Sequence, residues 1–132
     1  MTVFSSMSIS ASGLTAERVR VNAAASNLAN AHTTRTVEGG PYRRMDPILT
    51  SVGASEGAGV MVSGMRRDES QGQLVYMPEH PDANGDGFVT LPNVDPVHEI
   101  VNLVSAQRGF EANASAFETA KALAEKALDL LR

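Results

Sequence analysis

The chain has 132 residues and contains no cysteine and no tryptophan, and only two tyrosines and four phenylalanines. Without thiols, disulfides, thiolate catalysis and cysteine-ligated zinc are excluded. That absence is also compatible with an oxidising compartment. So few large side chains cannot fill a thick core. Thin layers and close helix–helix contact are expected instead, because alanine clusters near both ends.

A basic, aromatic-interleaved stripe is also missing. The net charge is −4, and the arginine pairs in "YRRMD" and "MRRDES" are isolated. Nucleic acid is therefore not an expected partner. No run approaches the roughly 18 apolar residues of a membrane span, so no direct membrane insertion is expected. "MTVFSSMSISASGL" has no Lys or Arg ahead of its mildly apolar stretch and does not read as a cleavable leader. Any passage out of the cytoplasm is expected to use another route.

What is present reads as helix, middle, helix. Met7, Ala11, Leu14, Arg18, Val21, Ala25 and Leu28 are spaced alternately four and three apart. This is a period of about 3.5 residues, the seam of a coiled coil, and only Arg18 breaks its apolar run. The spacing predicts a helix over about 6–30 that stops near Asn30 to His32. A second helix is expected from Pro96 to Leu131. Asp95-Pro96 fits an N-cap followed by proline at the first helical position, where no backbone donor is needed. Ile100, Leu103, Gln107, Phe110, Ala114, Phe117, Lys121, Ala124 and Leu128 again alternate by three and four. Such a helix would be about 50 Å long, more than the chain's own core can cover. Gly109 inside it reads either as a tolerated weak spot or as a point of close approach by a neighbouring helix.

The middle is turn-rich. "GVMVSGM", "QLVYM" and "GFVTL" read as short strands and "SVGASEGAG" as a loop. The expected fold is α+β, mainly α. Long terminal helices pack as a coiled-coil-like pair, with a small antiparallel β region inserted between them. The expected division is residues 1–36, 37–94 and 95–132.

"DANGDGFVTLPN" (82–93) opens like a calcium loop, with Asp82, Asn84, Asp86 and Gly87 at the expected offsets. The twelfth position should be a bidentate Glu but is Asn93, and Pro92 precedes it where the exiting helix should begin. A flanking helix and a partner loop are also missing. The segment reads as a long turn between two strands, because Asp, Asn and Gly are what tight turns require. His32, His80 and His98 fall in separate segments, and no phosphate loop or nucleophile elbow appears. No catalytic, cofactor or metal residues are assigned, and no enzyme is expected.

The end helices are what remain. Two helices packed alone make a marginal structure, so the seams are expected to assemble with other subunits as well as with each other. The candidate packing residues are Met7, Ala11, Leu14, Val21, Ala25, Asn27, Leu28, Ile100, Leu103, Phe110, Ala114, Phe117, Ala124 and Leu128. Asn22, Asn27 and Asn30 could bond between helices or cap helix ends. Capping is expected for Asn30, and an interface for Asn27.

"SGLTAERVRVNAAASNLANAHT" (12–33) resembles the N-terminal signature of bacterial flagellar axial proteins, S-G-L followed by A-x-N-x-A-N. Residues 80–130, with P-N-V-D and then R-x-[FY]-x-A-N, resemble rod proteins of the flagellar basal body. Phe88 and Phe110 stand where that family often has Tyr. The resemblance implies a structural subunit of the proximal rod, a helical tube that acts as part of a drive shaft across the periplasm. It implies export by the flagellar type III apparatus without a cleaved signal. The implied partners are copies of the chain and other rod proteins. Another rod subunit of the same architecture, or a calcium-binding module through residues 82–93, are the alternatives.

Overall fold

The computed structural model describes residues 2–53 and 58–130. Helix α1 spans Val3–Ala29 and helix α2 spans Pro96–Asp129. Between them lie β1 (Met45–Val52), β2 (Gly59–Arg67), β3 (Leu74–Tyr76) and β4 (Phe88–Thr90). β1 pairs with β2 and β3 with β4, both antiparallel, as two separate two-stranded sheets. The α+β architecture with long terminal helices is thus as the sequence indicated.

The helix ends follow local chemistry. α1 begins three residues before the expected start because Thr2 and Ser5 form a capping box. It ends at Asn30, whose side-chain amide donates to the Ser26 carbonyl at 2.9 Å. Asp95 caps α2 by accepting from the Val97 N–H at 3.0 Å. No described helix is long and apolar enough to cross a membrane.

β1 has no counterpart in the sequence reading. Pro47 lies within "MDPILTSV", and its apolar residues do not alternate. The strand forms because β2 supplies a partner, and a two-stranded sheet leaves an edge where the missing proline N–H costs nothing. The register shifts between Ile48 and Leu49. β1 and β2 also take Ser51, Val52 and Gly59 from the expected loop over 51–59. Residues 54–57 of that loop lie outside the described residues.

The β1–β2 hairpin lies along α1. Near its far end the Val60 N–H donates to Ser12 Oγ at 3.0 Å. α1 therefore packs against both α2 and the hairpin, while α2 makes no close backbone approach to the described strands.

Candidate functional site at the helix pair and hairpin root

The contact between the helices is built from small and polar residues. Ser10, Ala24 and Asn27 on α1 and Glu99, Ala106 and Ala120 on α2 are buried. A Cβ added at Gly13 would lie 2.5 Å from Asn113 Oδ1, and one at Gly109 would lie 2.8 Å from Glu17 Cδ. Each helix thus offers a glycine to a polar side chain of the other. The close-approach reading of Gly109 is the correct one, with α1 of the same chain as the neighbour.

These positions also carry the coiled-coil spacing: 10, 13, 17, 24 and 27 on α1, and 99, 106, 113 and 120 on α2. The set is displaced by one residue from the apolar seam read in the sequence, a rotation of about 100° per helix. The apolar seam therefore lies beside the internal contact and does not form its centre. Met7, Leu14, Val21, Leu28, Leu103, Ala114, Phe117 and Ala124 are half-buried at its flanks. Ala11, Ala25, Ile100, Phe110 and Leu128 are exposed. The physical reason is distance: helices crossing at glycine and alanine approach more closely than Leu or Phe at the crossing would allow.

On α2 the exposed apolar surface extends further. Val97, Ile100, Val101 and Val104 share one side of its first turns, with Val97 70% and Val101 60% exposed. Beyond Ala120, every described residue except Ala124 is exposed.

Asn27, for which an interface was expected, bonds across to the other helix of its own chain. It is 1% exposed and its whole amide is used inside the chain. Its Oδ1 accepts from the Met45 N–H at 3.0 Å and the Tyr42 hydroxyl at 2.9 Å. Its Nδ2 donates to the Met45 carbonyl at 2.9 Å and to Glu99 Oε2 at 3.1 Å. Four bonds fill the capacity of a primary amide.

Glu99 carries the network to the root of the hairpin. Its other oxygen accepts from Arg44 Nε, and the Arg44 guanidinium also reaches Asp46. Burial works against the Arg44 charge, but hydrogen bonds and attraction from Glu99 and Asp46 outweigh it and hold its pKa above the ordinary arginine value. The Arg44 N–H donates to Asn93 Oδ1 at 2.9 Å, and Asn93 Nδ2 donates to the carbonyls of Asp68 and Ser70. α1, α2, the hairpin root and the segment entering α2 thus meet in one polar joint. Sequence reasoning missed Glu99, Arg44, Tyr42 and Asn93. The available signal was that Glu99 stands seven residues before Ala106, on the same helix face.

The calcium-like segment is a turn whose side chains are engaged. Asp82 accepts from the Thr34 hydroxyl at 2.8 Å and pairs with Arg35. Asn84 accepts from the backbone of Asp86 and Phe88. Phe88 packs edge-on against Tyr76, with ring centroids 5.3 Å apart. Among the described residues no group of three or more His, Cys, Asp or Glu is placed to hold a metal ion.

Two long terminal helices with an exposed apolar side, joined by a small β unit and without a metal-binding cluster among the described residues, define the class of a structural α+β subunit. Residues 7–35 match the family model described as "Flagella basal body rod protein", and residues 86–130 match "Flagellar basal body rod FlgEFG protein C-terminal". The chain is 45% identical to the flagellar basal-body rod protein FlgC of Bacillus subtilis, with 98% of this chain and 99% of that protein covered. It is 40% identical to FlgC of Escherichia coli O6:H1, with 98% of each covered. It is 37% identical to FlgC of Borreliella burgdorferi, with 100% of this chain and 99% of that protein covered. The chain belongs to the FlgC family of flagellar basal-body rod proteins, which is structural and not enzymatic.

Proposed function

We propose that the chain is a subunit of the proximal rod and polymerises through α1 and α2 into a helical tube that transmits torque. The observation that carries this reading is the displaced seam. The helices join each other through small and polar residues and leave Ala11, Ala25, Ile100, Phe110 and Leu128 exposed, beside the α2 patch of Val97, Val101 and Val104. Exposed apolar surface of this extent marks an interaction site. Met7, Leu14, Val21, Leu28, Leu103, Ala114, Phe117 and Ala124 would complete the subunit-packing faces from the flanks.

The partners are copies of this chain and other flagellar rod proteins. Contacts between unlike faces grow as an open helix where their rotation does not close into a ring. Residues 1–36 and 95–132 form the axial core, and residues 37–94 form the small β region. The rod lies in the periplasmic space, and the subunit reaches it through the flagellar type III export apparatus without a cleaved signal.

The test is deletion of the gene in its host, with electron cryotomography of the envelope. Basal bodies with a membrane ring but no rod, hook or filament, restored by a plasmid copy, are expected. Complete rotating flagella in the deletion strain would overturn the reading.

A further inference from the structure

Asn84 is the only asparagine of the chain that is followed by glycine. It sits exposed in the turn between β3 and β4. Its Oδ1 accepts from the Asp86 N–H at 3.0 Å and from the Phe88 N–H at 2.9 Å. Its own N–H donates to the Phe88 carbonyl at 2.9 Å, which closes the turn. Asn27, Asn30, Asn93 and Asn113 spend their Nδ2 groups on carbonyl oxygens. Asn84 instead commits its side-chain oxygen to two backbone donors, in an exposed turn.

We propose that Asn84 is a self-modifying position, at which the turn promotes loss of the side-chain ammonia. Hydroxide takes the proton of the Gly85 N–H, and the nitrogen attacks Asn84 Cγ, forming an N–Cγ bond. Negative charge develops on Oδ1, where two backbone N–H groups already point, as in an oxyanion hole. The Cγ–Nδ2 bond breaks, and the leaving nitrogen takes a proton from water and departs as ammonia, regenerating hydroxide. The cyclic imide that remains adds water at either of its two carbonyls and opens to aspartate or isoaspartate. The net change is one water consumed and one ammonia released, with no oxidant or metal. Gly85 favours the attack because it has no Cβ to crowd its nitrogen.

The products differ in consequence. Aspartate adds a negative charge between Asp82 and Asp86. Isoaspartate lengthens the main chain by one carbon, so the Asn84–Phe88 closure and the two Oδ1 bonds cannot all persist. The chemistry acts within one chain and is independent of how copies assemble.

Incubation of the full-length protein in mildly alkaline buffer, followed by tandem mass spectrometry that locates the conversion, tests this. Conversion is expected at Asn84 before any other asparagine, as a mixture of both products. The native chain is expected to convert at least as fast as the chain unfolded in guanidinium chloride. A methyl at Gly85 would meet nothing within 4 Å, and its φ is not positive, so Gly85→Ala keeps the fold. That variant is expected to convert measurably more slowly, because the added Cβ crowds the attacking nitrogen. An unchanged rate in Gly85→Ala, or a native Asn84 that stays intact while the unfolded chain converts, overturns the proposal.

Discussion

Asn27, near the end of α1, and Glu99, in the first turns of α2, hold each other at 3.1 Å in a site where each is 1% exposed. They lie 72 residues apart in sequence, and their contact fixes Glu99, the one buried charged residue among those described. Arg44 and Met45, at the hairpin root, are held by the same two side chains. The joint therefore fixes the direction of the hairpin relative to both helices.

Asn27→Ala strips four bonds at once and leaves the Met45 N–H and carbonyl, the Tyr42 hydroxyl and one Glu99 oxygen without that partner. A loss of about 3 kcal/mol is expected, because unsatisfied buried polar groups cost about 1–3 kcal/mol each and some will find water. Denaturant unfolding monitored by circular dichroism measures it. A change under about 0.5 kcal/mol would contradict the burial of this amide.

Glu99→Ala leaves Arg44 paired with Asp46 alone. The expected loss is again about 3 kcal/mol, at the low end for a broken buried pair because Asp46 retains part of the charge compensation. The double variant Asn27→Ala, Glu99→Ala should lose less than the sum of the two single changes. Additive losses would mean that the residues do not couple.

At Gly109 the response should depend on size. The Glu17 carboxyl that crowds it is the flexible end of a long side chain, so Gly109→Ala displaces it and gains helix propensity of about 1 kcal/mol, leaving stability near unchanged. Gly109→Leu cannot be accommodated and should cost about 2 kcal/mol by overpacking the crossing. Thermal unfolding of both variants distinguishes a close crossing from an open one, in which leucine would be harmless.

Asp68 provides a pH test. Hydrogen bonds from Ser70, led by its backbone N–H, hold the Asp68 carboxyl below its ordinary value. Its folded pKa lies below its unfolded one, so its contribution is present above the unfolded value and is lost as pH falls through the folded value. NMR titration should place Asp68 below a reference aspartate, and Ser70→Pro, which removes the N–H, should raise it. An Asp68 that titrates normally would show that the bond is not kept in solution.

Much of the architecture was legible in the sequence alone. The helix spans, the Asp95 cap and the Asn30 stop rest on local chemistry within one or two turns, and the β3–β4 pair rests on a turn signal between two short apolar runs. Family motifs are likewise a property of the string. β1 was not legible, because Pro47 and an irregular apolar pattern argue against a strand until β2 is there to pair with it. The choice of seam was not legible either. Two helix faces one residue apart carry the same spacing, and only the meeting of Gly13 with Asn113, and of Gly109 with Glu17, decides which face turns inward. The polar joint depended wholly on the tertiary fold, since Asn27, Arg44, Asn93 and Glu99 come together only after three separate segments have closed. Short-range chemistry fixed where each element starts and stops, and long-range proximity decided which side of each helix is spent inside the chain and which stays exposed.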